Sequence, residues 1–241
     1  IEQERERLPE RVFAQEYAGD WVEGAGQVFR YVRECATGEW QEPKRGEVYY
    51  AGLDLAKIVD FTVLVIMNAK REVVFADRFH RLDWSLQVAR IKAALDRYNG
   101  ARVRVDSTGK GEPVYEYLWK AGCRCDEYPF TQRSKAALID LLSILLEKRA
   151  ITLPSPEIWP EGINELEGFE YALSDAGNVR TGAPSGMHDD IVIATSLAAW
   201  QLRHDLTPPV IRHTGPPILA PRRRRLKGGW TTPPGWFRLR L

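Results

Sequence analysis

The 241-residue chain carries 34 Lys and Arg against 33 Asp and Glu, a formal charge of +1 that by itself points to no acidic partner. No run approaches the roughly 20 apolar residues that a membrane helix needs, so no membrane partner is expected. The three cysteines, Cys35, Cys123 and Cys125, are odd in number and lack zinc-type spacing, which favours a reduced cytosolic compartment over a disulfide framework.

Read in chain order, residues 1–45 lack a strand signal. They mix charge with aromatics (Phe13, Tyr17, Trp21, Phe29, Tyr31), as expected of a linker or wrap of short helices and turns, and the charged start suggests a fragment of a longer protein. Residues 46–203 hold the predicted domain. Three strands come first, Val48 to Asp54, Phe61 to Asn68 and Glu72 to Arg78, forming an antiparallel meander whose first member is apolar enough to be central. Asp83 caps a helix from Trp84 to Tyr98, which Asn99 and Gly100 stop. The strand RVRVD, Arg102 to Asp106, follows. A helix between strands implies a crossover, so this strand is expected to run parallel to the first.

A helix over Pro113 to Ala121, a strand within CRCDEYPF, a long helix over Ser134 to Arg149 and a short strand at Ile151 to Leu153 come next. Cys123 and Cys125 are expected on one face of that strand, as packing residues. The turn signal at Asp175 to Asn178 predicts a hairpin or flap within Glu165 to Gly186, ahead of an apolar helix over His188 to Leu202. Residues 204–241 form a basic tail rich in Pro and Arg, with Arg222 to Arg225 and Lys227, unsuited to building a core.

Asp54 ends the first strand, Asp106 ends its expected parallel neighbour, and Asp189 and Asp190 open the last helix. Clustered carboxylates repel one another unless a cation sits among them. Hard oxygen ligands with open positions suit Mg²⁺ or Mn²⁺. Two such ions would activate water, align a phosphodiester and neutralise the leaving oxygen. The residues also leave open a non-cleaving DNA-binding or docking module.

The motifs GLDLAKIVDFT, RVRVDSTGKGEPVYEYL and GMHDDIVIATSLAAW, in that order, resemble the C-terminal nuclease domain of the large terminase subunit of tailed bacteriophages. QEYAGDWVEGAGQVF is similar to the linker that precedes it, so the resemblance covers roughly Arg11 to Leu202. It implies an α/β, RNase H-like (RuvC-type) mixed sheet, an antiparallel three-strand meander plus parallel strands, flanked by helices. It also implies that Asp54, Asp106, Asp189 and Asp190 bind two Mg²⁺ or Mn²⁺ ions that cut double-stranded concatemeric DNA around capsid filling. A junction resolvase or transposase of the same fold would share these acids.

Asp60, Lys57 and His188 are candidates for supporting roles. Arg102, Arg104, Lys110, Arg133, Lys135, Arg180 and the tail are candidates for DNA contact. The implied partners are a packaging ATPase in the same full-length chain, the portal and the small terminase subunit. The implied location is the host cytoplasm, transiently at the prohead portal. STGKGE, Ser107 to Glu112, lacks the first glycine and the final Ser or Thr of a P-loop, so no ATP hydrolysis is expected from this stretch.

Overall fold

The computed structural model describes residues 26–55, 61–106, 112–173, 179–182 and 188–203. All belong to a unit spanning Ile1–Thr207, separate from Pro208–Leu241. Asp60, Lys57, Lys110, the Arg180 side chain and the basic tail lie outside the described residues. No helix among the described residues is long and apolar enough to cross a membrane.

The centre is a five-stranded mixed sheet in the order β4-β3-β2-β5-β6. Strand β2 (Tyr49–Asp54) is the middle strand, and β3 (Thr62–Asn68) is buried at every position. These two pair antiparallel from Tyr49 opposite Asn68 to Asp54 opposite Val63, and β4 (Val73–Phe79) extends the meander with Val63 opposite Arg78. The β3–β4 turn is tied by the Asn68 carboxamide oxygen, which accepts from the backbone N–H groups of Lys70 at 2.9 Å and Glu72 at 3.1 Å. Arg71 there takes φ 63.

Helix α2 (Trp84–Arg97) makes the crossover. Asp83 caps it by accepting from Leu86 N–H at 3.0 Å, and Asn99 and Gly100, both with positive φ, end it. The chain returns as β5 (Arg102–Asp106), parallel to β2 with Leu53 opposite Val105. A second crossover through α3 (Glu112–Lys120) brings in β6 (Cys125–Tyr128), again parallel, with Asp106 opposite Tyr128. Helix α4 (Gln132–Glu147) then starts in a capping box between Thr131 and Ser134.

Alternation along the strands divides the core. Leu53, Leu64, Ile66, Val103 and Val105 pack with Ile91 and Leu95 of α2 and Leu118 of α3. Val63, Val65 and Met67 face the other way, onto Leu138 and Leu142 of α4 and onto α6 (Asp190–Trp200). Helix α6 is apolar all round, as expected of a helix enclosed by sheet and helices. It lies so close to β2 that a Cβ on Gly52 would collide with the carbonyl oxygen of Ala194 and lie 2.6 Å from the amide nitrogen of Ala198.

Residues near the start contribute to this second core. Helix α1 (Val32–Cys35) and β1 (Ala36–Gly38) bury Val32, Cys35 and Ala36, and Phe29 stacks on Phe169 with ring centroids 5.4 Å apart. Strand β1 pairs in parallel with β7 (Leu153–Pro154). The expected flap over Glu165 to Gly186 starts later than its sequence suggested. Pro160–Glu167 is helix α5, with Pro160 at a favoured first position, and the hairpin is β8 (Glu170–Leu173) against β9 (Val179–Gly182). Cys123 and Cys125 are half-buried rather than enclosed, because only Cys125 has entered the strand and the sheet ends beside it.

Candidate metal and nucleic-acid site

Pairing of β2 with β5 in parallel register, Leu53 opposite Val105, puts Asp54 and Asp106 at the same end of adjacent strands. The close seat of α6 on Gly52 points that helix's N-terminus at the same end. Asp189 is its N-cap residue and Asp190 its first helical residue, 8% exposed. The Asp189 side chain makes no capping bond. Its Oδ2 accepts instead from Lys135 Nζ of α4 at 2.8 Å.

The four carboxylates act on one another. Burial pushes the Asp54 carboxyl well above the usual carboxylate range, and the charges of Asp190, Asp189 and Asp106 push it further, with Lys135 opposing. Repulsion of this kind marks a place for positive charge. Among the described residues, no three His, Cys, Asp or Glu side chains converge tightly enough to enclose an ion. The acids share one mouth at a range where they feel each other's charge. In donor chemistry the set fits a hard divalent cation that takes few carboxylates and completes its shell with water and phosphate oxygens.

Glu165 was not legible in the sequence as part of this region. From α5 its Oε1 accepts the backbone N–H of Ile191 at 2.6 Å and of Val192 at 3.1 Å, doing for α6 what the Asp189 side chain does not. Burial pushes the Glu165 carboxyl up to about 7, against the two amide bonds and the charge of Arg78, while Asp190 adds to the rise. No local signal marks a carboxylate that caps a helix 26 residues away.

His188 lies beside the acids, its Nδ1 3.7 Å from Asp190 Oδ2 and its ring 5.3 Å from that of Phe61. Of the candidates for DNA contact, Arg102 and Arg104 are engaged within the sheet. Arg102 grips Asp126 with two bonds, at 2.5 and 2.9 Å, and Arg104 lies 3.7 Å from the same carboxylate. Arg102 starts β5, four residues before Asp106 and so about 13 Å from the acidic end at the usual rise per residue. Lys135 is at the site but is engaged with Asp189, and Arg133 is exposed at the start of α4.

A three-strand antiparallel meander continued by two parallel strands, with acids at one end and a final helix bringing two more, defines the RNase H-like class of fold. The family model for the terminase RNase H-like domain matches residues 51–201, and the chain belongs to that family. It is 29% identical over 205 residues to the large terminase subunit of Thermus virus P23-45, a match covering 80% of this chain and 42% of that protein. The chain thus spans less than half the length of the curated relatives it matches. Among solved structures it resembles the magnesium-bound large terminase nuclease of the thermophilic phage G20c, with TM-score 0.68 and 27% identity over 73% of this chain and 97% of that one. It also resembles the large terminase nuclease domain of Thermus phage P74-26, with TM-score 0.66 and 26% identity over 74% and 96% of the two chains.

Proposed function

We propose that this domain is the endonuclease of a large terminase subunit, cutting double-stranded concatemeric viral DNA during genome packaging by metal-dependent phosphodiester hydrolysis. The observation that carries the reading is the electrostatic state of Asp54, a mostly enclosed carboxyl at the end of the central strand with Asp106, Asp189 and Asp190 all acting on it. Asp54, Asp106, Asp189 and Asp190 would hold two Mg²⁺ or Mn²⁺ ions. Ions bound there supply a water-derived nucleophile at neutral pH and offset charge on the scissile phosphate and leaving oxygen.

The chain's own residues supply position. Strands β2 and β5 hold Asp54 and Asp106 on a hydrogen-bonded ladder. Glu165 fixes the N-terminal turn of α6, so that Asp189 and Asp190 meet the strands in one orientation. Lys135 limits the repulsion by pairing with Asp189. Substrate enters as a polyanion, so binding should be salt-sensitive and nearly blind to sequence.

In the same reading, residues 1–45 connect to a packaging ATPase of the full-length chain and residues 204–241 form a basic arm. The portal and small terminase subunit are partners, and the enzyme works in the host cytoplasm and transiently at the prohead portal. Supercoiled plasmid incubated with Mn²⁺ or Mg²⁺ tests the proposal. Nicking and linearisation are expected from the wild type, and neither from Asp54→Asn, from Asp106→Asn, or in EDTA. Activity surviving Asp54→Asn would refute the site. DNA binding without cleavage in any metal would favour a docking module.

A further inference from the structure

Arg78 has its side chain on the acidic mouth's face of the sheet, with no carboxylate among the described residues within ion-pairing distance. It stands on β4 in the same cross-strand row as Asp54, since Asp54 faces Val63 and Val63 faces Arg78. Residues directly opposite share a face of the sheet, so Arg78 and Asp54 share the face that α6 covers. Two strand spacings separate them, about 10 Å.

The guanidinium lies over the Phe61 ring, its Cζ 3.9 Å from the centroid. Its Nε is buried with no hydrogen-bond partner. No carboxylate of the described residues lies within ion-pairing distance, although Arg78 is near enough to Glu165 to act on its charge. Phe61 is itself held edge-on by His80, at 4.6 Å, and by His188, at 5.3 Å, and His188 adjoins Asp190. The platform is therefore continuous with the acid cluster.

An arginine that serves only fold stability is expected to close an ion pair or to extend into water. Here one face of the guanidinium is fixed on an aromatic ring, which orients the planar fork of N–H donors that suits a phosphate bidentately. The acids at the mouth repel a polyanion, so a cation set beside them is where the strand can be anchored.

We infer that Arg78, presented by Phe61, binds a backbone phosphate of the DNA strand next to the scissile one. The ligand is a phosphodiester monoanion near the cut, since Arg78 stands two strands from Asp54 on the same row of the sheet. This rests on the nuclease reading above. Arg78 acts as a positioning residue, aligning the strand without touching the reacting atoms.

The test is binding of a fluorescein-labelled 30-base-pair duplex in Ca²⁺ across a salt series, beside plasmid nicking in Mn²⁺. One phosphate contact contributes about 0.9 to the slope of log affinity against log salt. Arg78→Gln should lower that slope by about 0.9 and weaken binding roughly eightfold at 0.1 M salt, the same relation evaluated at that concentration. KM for nicking should rise by a similar factor with kcat within about twofold, and thermal midpoint unchanged. Phe61→Leu should weaken binding in the wild type and have no further effect in Arg78→Gln, which keeps the proposal testable through a milder change. An unchanged salt slope in both variants, with nicking intact, would overturn this inference and leave the nuclease reading standing. A wild type that binds DNA with the expected Arg78 dependence and cuts in no metal would overturn the nuclease reading instead, and would support the contact.

Discussion

Gly52 couples the fold to the site, and Gly52→Ala measures that coupling. A Cβ at this position meets the carbonyl oxygen of Ala194 and the amide nitrogen of Ala198, both backbone atoms of α6. No side-chain rotation relieves such a contact, so either β2 or the whole helix must move. Overpacking a core usually costs about 1 to 3 kcal/mol. Residues 191–199 of α6 are all buried, so displacing the helix loosens packing along its length, and about 3 kcal/mol is expected. That is a large share of the roughly 5 to 15 kcal/mol that holds a domain together. In a domain of this size it lowers the thermal midpoint by about 6 to 12 °C. The same movement draws Asp189 and Asp190 away from Asp54, so nicking should fall even well below the new midpoint. Gly162→Ala is the internal comparison: the nearest atoms to its Cβ belong to the buried Trp159 ring rather than to the backbone of α6, so it should lower the midpoint while sparing nicking measured well below that midpoint. A Gly52→Ala protein with a midpoint within 2 °C of wild type and full nicking, by the criterion of about 1 kcal/mol, would refute the close-packing argument.

Three further outcomes follow from the electrostatics. Glu165 carries a carboxyl raised from 4.5 to about 7, so between those values the folded protein keeps a proton that the unfolded chain has lost. Its contribution to stability is full below about pH 4.5 and fades as pH rises through 7, by about 3 kcal/mol at most. Glu165→Gln keeps the acceptor for Ile191 and Val192 but should flatten that part of the urea midpoint against pH in metal-free protein; an unchanged slope would show that another group titrates. Asp54→Asn removes a buried carboxylate repelled by three others, so the metal-free variant should be more stable at pH 8 by on the order of 1 to 3 kcal/mol while losing most of the Mn²⁺-induced thermal shift. Destabilisation in EDTA would contradict the repulsion. Lys135→Met frees Asp189 from an ammonium 2.8 Å away, and because both side chains are about one-third exposed the effect is screened. Mn²⁺ should bind about two- to fivefold more tightly by calorimetry, and weaker binding would mean that Lys135 supports the metal-ready geometry rather than competing with it.

Much of this architecture is written locally in the chain. The apolar run in Val48 to Asp54, the alternation in RVRVD, the capped helix after Asp83 and the Asn99-Gly100 stop each depend on neighbours in sequence, and the parallel pairing of Leu53 with Val105 follows from the helix between the two strands. The acids at the strand ends were legible for the same reason, because strand direction and a crossover fix which end each reaches. Helix α5 was hidden because its buried face is carried by few residues, Gly162, Ile163 and Leu166, in a segment that otherwise reads as polar loop. Strand β1 was hidden because β7, its partner among the described residues, is more than a hundred residues away.

The charged partners were the least legible, and the reason is physical. A carboxylate's surroundings are set by whatever packs beside it, and sequence separation carries no trace of that. Arg102 and Arg104 looked like DNA contacts from their place next to Asp106, yet Asp126 on the neighbouring strand takes both. Lys135 was a candidate for DNA contact and Glu165 fell at the start of an expected flap, yet one pairs with Asp189 and the other caps the helix that carries Asp190. Arg78 sits in FADRF, where alternation puts it inward on the row of Asp54, and only the cross-strand register reveals that. The acids come from the middle of the sheet and the last helix. The cations come from β4, an edge strand, and from α4, which follows the opposite edge strand β6. Under the nuclease reading a polyanion approaching the central acids would therefore meet Arg78 from an edge strand and Lys135 from a helix packed on the sheet's face, an arrangement that depends on tertiary packing and that no single motif encodes.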